Sequence, residues 1–158
     1  LCCHCLRNMA FYRAGWRERK PIFEGQFLVN ANGNFLDICV LEWCKLFGDS
    51  RAQHHWKKVT SDPDKFFSEM LKKLGMTETD LENYVKEVRT YRDKFIAHLD
   101  SEAVMHPPKL DVIKNSVTYL YGYLLQNENE EDFFPDAPTN ATAFYKGFLV
   151  EGKKAYKS

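Results

Sequence analysis

Residues 77–96 carry the pattern that most constrains what this chain can fold into. Thr77, with Asp80 three residues on, is the signature of a helix-opening capping box. Leu81, Tyr84, Val85, Val88, Tyr91, Phe95 and Ile96 then recur at the spacing of a single helical face. The pattern predicts a long amphipathic helix that has to end by Pro107, because proline cannot continue a helix and biases the residue before it away from helical geometry.

Similar punctuation organises the rest. Pro108 predicts the start of another helix, with Leu110, Ile113, Val117, Leu120, Tyr121 and Leu124 on its buried side. A long helix, a short link over residues 100–106 and a second long helix predict an antiparallel pair, the unit of an up-down bundle. Upstream, Asp62 before Pro63 reads as an N-cap, with Phe66, Phe67, Met70, Leu71 and Leu74 following on one side until Gly75. Leu6, Met9, Ala10, Arg13, Trp16 and Arg17 predict a first helix over residues 2–19, stopped by Pro21.

Val29-Asn30-Ala31-Asn32-Gly33-Asn34 is turn chemistry, and the helical period of Phe35, Ile38, Cys39, Leu41, Glu42, Leu46 and Phe47 predicts a second helix over residues 34–47. Residues 48–60, with His54, His55 and Trp56, read as a loop containing a turn. The acidic residues 128–132 and the Phe133-Phe134-Pro135-Asp136-Ala137-Pro138 stretch predict another loop, and Thr139 caps a final helix that Gly147 and Gly152 weaken. No strand-like alternation of convincing length occurs, apart from an ambiguous Phe27-Leu28-Val29. The expected fold class is all-α, an up-down bundle of five to six helices forming a single domain over residues 1–158.

Charge and cysteine usage narrow the function classes. The 22 basic and 22 acidic side chains cancel, so no global field draws the chain to nucleic acid or an anionic membrane, and any such contact must be local. The 44% hydrophobic and 15% aromatic content argues against disorder. Five cysteines, three of them crowded at Cys2, Cys3 and Cys5, are an odd count that fits a reducing compartment better than a secreted disulfide framework. With no signal peptide read and no apolar run of about 18 residues, the expected location is the cytoplasm, with no membrane partner.

The strongest functional candidate is the line Arg89-Thr90-Tyr91-Arg92-Asp93-Lys94-Phe95-Ile96-Ala97-His98, which crowds basic residues, an acid and a histidine near the end of the long helix. On a straight helix Arg92 and His98 lie about 120° apart around the axis and about 9 Å apart along it, so one copy does not form a tight pair. A twofold dimer would bring a second Arg92 and His98 opposite. The plainer reading is a solvated or salt-bridged helix face, with His98 favoured at a helix C-terminus by the dipole.

This line resembles the Arg-x(4-6)-His motif of HEPN domains, with Arg92, Asp93 and His98 in the motif positions and five residues between arginine and histidine. The stretches Ile38-Cys39-Val40-Leu41-Glu42-Trp43-Cys44-Lys45-Leu46-Phe47, His55-Trp56-Lys57-Lys58 and His98-Leu99-Asp100 are similar to the AbiU-like abortive-infection branch of that superfamily. The resemblance covers residues 34–125. It implies a helical bundle, often a homodimer, in which active members cleave RNA without metal or other cofactor in phage defence or stress, in some systems under an antitoxin or nucleotidyltransferase partner.

In that chemistry the ribose 2′-hydroxyl attacks the adjacent phosphodiester and leaves a cyclic phosphate. His98 would move the proton, Arg92 would hold phosphate oxygens, and Asp93 would orient either partner. Arg89, Lys94 and Tyr91 would contact substrate. Aspartate at position 93 departs from the asparagine often found there and adds a negative charge where phosphate would come. The alternative class is a non-catalytic helical module that binds RNA, nucleotide or a partner protein in the same groove.

Other clusters rank lower. Cys2-Cys3-His4-Cys5 points four ligands in different directions on a helix, and Cys39 and Cys44 do not converge, so no metal site is expected. His54-His55-Trp56 reads as a packed loop with a buried tryptophan rather than a base-stacking pair. Arg13, Arg17, Arg19 and Lys20 with Trp16, and Lys57-Lys58, could supply phosphate-binding flanks, but solvated helix faces are the commoner explanation for such residues.

Overall fold

The computed structural model describes residues 1–97, 107–128 and 136–157. Among them are seven α-helices, two π-helical segments and one two-stranded hairpin. Helix α1 (Cys2–Ala14) buries Cys2, Cys5, Leu6, Met9 and Ala10, a stripe at three- and four-residue spacing. It stops five residues short of the expected end. Gly15 is a weak helix former, and a Cβ there would sit 2.6 Å from Asn32 Nδ2 and 2.7 Å from the Phe23 ring. The chain turns instead into a hairpin of β1 (Trp16–Arg17) and β2 (Lys20–Pro21), with Arg17 opposite Lys20.

Helix α2 (Gln26–Trp43) corrects a second expectation, because residues 29–34 and the ambiguous Phe27-Leu28-Val29 lie inside it. Asparagine disfavours helix interiors because its side chain competes for nearby backbone. Here the competition is removed. Asn32, 2% exposed, accepts from Trp16 Nε1 at 2.9 Å and donates to Tyr12 O at 3.0 Å and Tyr156 Oη at 2.8 Å. Asn30 accepts from Gln26 one turn earlier. A π-helical segment, Cys44–Gly48, continues α2, with the Asp49 N–H reaching back five residues to Cys44 O at 2.8 Å.

Within the connection expected as loop, α3 (Trp56–Val59) forms one turn. Helix α4 (Pro63–Leu74) begins as its sequence predicts: Asp62 accepts from the Lys65 N–H at 3.0 Å, Pro63 takes the first turn, and Gly75 ends the helix at φ 64°. In α5 (Glu78–Tyr91) the Thr77 and Asp80 box closes in both directions, at 3.1 and 3.0 Å. A second π-helical segment, Arg92–Ala97, follows. Helix α6 (Leu110–Asn127) starts two residues after Pro108, because Lys109 stays extended at the cap while its carbonyl accepts the Tyr84 hydroxyl at 2.8 Å. The last helix, α7 (Ala141–Ala155), is capped by Asn140 rather than Thr139, through a 2.9 Å bond from the Ala143 N–H.

Helix α1 packs against α2, α7 and α6. The expected α5–α6 pairing is not the principal one. Helix α6 lies mainly on α1 and α4, while α5 packs on the first π segment, where the Trp43 ring meets Phe47 at 5.4 Å and Tyr84 at 5.5 Å. The Trp43 indole N–H is satisfied by Ser116 Oγ at 2.9 Å, which locks α2 to α6 across the core. The architecture is thus mainly helical, and no helix among the described residues is long and apolar enough to cross a membrane. The 100–106 link and most of the acidic, proline-containing loop lie outside the described residues.

Candidate functional site

The two π-helical segments meet where α2 and α5 end. Asp49, immediately after the first, faces Arg92, the first residue of the second. Arg92 Nη1 donates to Asp49 Oδ2 at 2.6 Å and Arg92 Nε donates to Asp93 Oδ1 at 2.9 Å. Arg89 Nε lies 3.9 Å from Asp49 Oδ1, and its stem crosses Gly48, where an added Cβ would come 3.5 Å from Arg89 Cγ. The Arg92 side chain is 17% exposed. Partial burial works against its charge, but the hydrogen bonds to Asp49 and Asp93 outweigh it and hold the guanidinium above its usual range.

Beneath this cluster lies Cys44. Burial pushes its thiol up to about 12, although the nearby Arg92 pulls the other way, so it is a neutral packing group rather than a nucleophile. Tyr91 is buried in the core against Phe95, their rings 5.4 Å apart, and desolvation raises its hydroxyl. Tyr91, expected to contact substrate, belongs to the inward stripe of α5. Lys94 and Asp93 sit on the π segment, half-buried and exposed respectively. His98 lies outside the described residues.

The π turn also changes the expected geometry. Its hydrogen bonds span five residues rather than four, so straight-helix angles do not carry past Arg92. Sequence reasoning missed Asp49 altogether. It stands 43 positions from Arg92, and its one local signal is that it follows the glycine closing the α2 pattern.

A cleft of about 720 Å³ adjoins the cluster, sharing Gly48 and Arg89 with it and reaching to Phe47, His55, Trp56 and Phe67. The packed-loop reading of residues 54–56 fits what is seen. Trp56 is buried, stacked 5.2 Å from Phe67 at an interplanar angle of 1°, and Lys57 lies over its ring. His55 caps α3: its Nδ1 accepts from the Lys57 N–H at 3.3 Å, which leaves Nε2 to donate to Phe47 O at 3.3 Å. Burial lowers its pKa, so the ring is a neutral structural group at neutral pH.

Among the described residues no three His, Cys, Asp or Glu side chains converge to hold a metal ion. None of the five cysteines is in a disulfide, and Cys5 and Cys39 face each other across the α1–α2 contact with sulfurs 3.7 Å apart. No protein-family model, curated protein or solved structure matches the chain.

Proposed function

We propose that this chain is a HEPN-like protein that cleaves RNA without metal, using a composite site in which Arg92 of one copy works with His98 of a second. The observation that carries the reading is the setting of Arg92. A guanidinium at the π-helical end of α5, its Nε and Nη1 each bonded to a carboxylate, is held in one orientation. A pre-oriented cation of this kind can stabilise charge that develops on a phosphate without reorganising at the moment of reaction. The π-helical geometry supports the reading, since such segments recur at functional sites.

In the proposed step the 2′-hydroxyl oxygen forms a bond to phosphorus while the bond from phosphorus to the 5′ oxygen breaks. The products are a 2′,3′-cyclic phosphate and a 5′-hydroxyl. His98 carries the proton lost by the 2′-hydroxyl or supplies the one gained by the leaving oxygen. The phage-defence or stress setting and any antitoxin or nucleotidyltransferase partner rest on the family resemblance alone, and the cytoplasmic location on the cysteine usage described above.

The same clamp favours a second reading. Asp49 and Asp93 neutralise Arg92, and a cation so engaged binds RNA more weakly, which suits a module that holds a partner without cutting it. Purified protein incubated with RNA and chelator separates the two. On the first reading wild type cleaves, and His98→Ala and Arg92→Ala each lower the rate by about 10² to 10⁴. Undiminished cleavage by His98→Ala would remove the assignment, and binding without cleavage by wild type would establish the second reading.

A further inference from the structure

Opposite-sign charges cancel over the whole chain, but not at the hairpin. Its two-residue tip, Glu18 and Arg19, has φ values of 50° and 64°, as a tight hairpin with paired residues 17 and 20 requires. That turn favours asparagine and glycine, and neither is present. Charged β-unbranched residues are held there at a conformational cost. Arg17, Arg19 and Lys20 are all exposed on this hairpin. None of the three forms an ion pair among the described residues.

A second element brings more cations to the same end. Tyr156, just past α7, stacks on Phe23 with ring centroids 5.2 Å apart and shares Asn32 with the Trp16 indole. Lys153, Lys154 and Lys157 flank Tyr156 and are all exposed. Tyr156, their neighbour in sequence, stacks on Phe23, whose ring also meets Trp16 in the hairpin. Trp16, 37% exposed, leans on Tyr12 and Phe23 at its foot and offers part of an aromatic face. The acids on these segments are Glu18, Glu24 and Glu151, so six cations outnumber three carboxylates.

We infer that this end of the molecule, the hairpin together with the C-terminal turns of α7, is a binding surface for the phosphate backbone of single-stranded RNA. Exposed, unpaired cations on a hairpin suit a flexible polyanion, and a partly exposed indole beside them suits a splayed base. The inference rests on the RNA reading above for its choice of polyanion. It places backbone contacts on elements other than the Arg92 cluster.

The test uses a labelled 2′-O-methyl oligouridylate of about 20 nucleotides, which cannot undergo attack by a 2′-hydroxyl, so binding is read apart from cleavage. Three variants are compared with wild type by anisotropy over a salt series: Arg17→Ala/Arg19→Ala/Lys20→Ala, Lys153→Ala/Lys154→Ala/Lys157→Ala, and Lys65→Ala/Lys72→Ala/Lys73→Ala on α4 as a control of equal charge change. The hairpin variant is expected to bind at least tenfold more weakly and to flatten the log–log salt slope by about 2, given about 0.7 per lost phosphate contact on single strands. The α7 variant should move in the same direction and the α4 control far less.

Equal loss in the hairpin and α4 variants, or no binding by wild type, would overturn the inference. So would hairpin-dependent binding to phosphatidylserine vesicles without binding to the oligonucleotide. Cleavage of unmodified RNA is scored separately: binding that depends on the hairpin without any cleavage keeps this surface and removes the ribonuclease. A further variant, Arg19→Gly, supplies a residue the turn prefers. It should raise Tm while weakening binding, whereas a hairpin that serves only the fold would show the rise alone.

Discussion

Gly147 and Gly152 sit five residues apart on α7, and their surroundings give them opposite roles. A Cβ at Gly152 would lie 2.7 Å from Ala14 Cβ and 3.1 Å from Phe11 Cδ1, so this bare backbone lets α7 close onto α1. Gly147 is exposed, and a Cβ there would meet nothing within 4 Å. Gly147→Ala should therefore stabilise by about 0.5–1 kcal/mol, the helix-propensity gain alone. Gly152→Ala gains the same term but forces two helices apart, and overpacking costs of about 1–3 kcal/mol outweigh it. Urea unfolding of the two variants should move the midpoint in opposite directions. The sequence treats these residues alike, as weak points in a helix; what separates them is a neighbour more than 130 positions away in the chain.

Helices α4 and α5 were readable because their boundaries are set by local chemistry. Asp62, Pro63, Gly75, Thr77 and Asp80 act on backbone groups a few residues away, within reach of a pattern. Helix α2 was not, since Asn32 is kept from breaking it by partners 16, 20 and 124 positions distant. Helix α3 depends on a cap that pH can switch. Burial lowers the His55 pKa, with Lys57 and Lys58 adding to the shift and the Phe47 carbonyl and Asp49 opposing it. A folded pKa below the unfolded value of about 6.5 means that the unfolded chain binds the proton first. The contribution of His55 to stability is thus fully present above about pH 6.5 and is lost as pH falls through the lowered folded value. Protonation of Nδ1 also removes the acceptor for the Lys57 N–H. Melting temperature should fall more for wild type than for His55→Asn between about pH 7.5 and pH 5.5; equal falls would show that His55 does not carry the effect.

At the scale of the whole molecule, the candidate site was half legible. Arg92 and Asp93 stood out as a dense polar line, but the partner that fixes Arg92 is Asp49, brought over by the meeting of two π-helical ends. The proposed chemistry adds a requirement that no single copy meets, namely a second subunit. Subunit mixing tests it directly. Arg92→Ala and His98→Ala homodimers should each be inactive, since every composite site lacks one partner. Randomly mixed, half the dimers carry one subunit of each kind, and in those one of the two sites joins an intact Arg92 to an intact His98. Mixing equal amounts should therefore restore about a quarter of wild-type cleavage, by the symmetry of a twofold dimer. A site contained within one subunit would restore nothing at any mixing ratio, because each chain would keep its own defect.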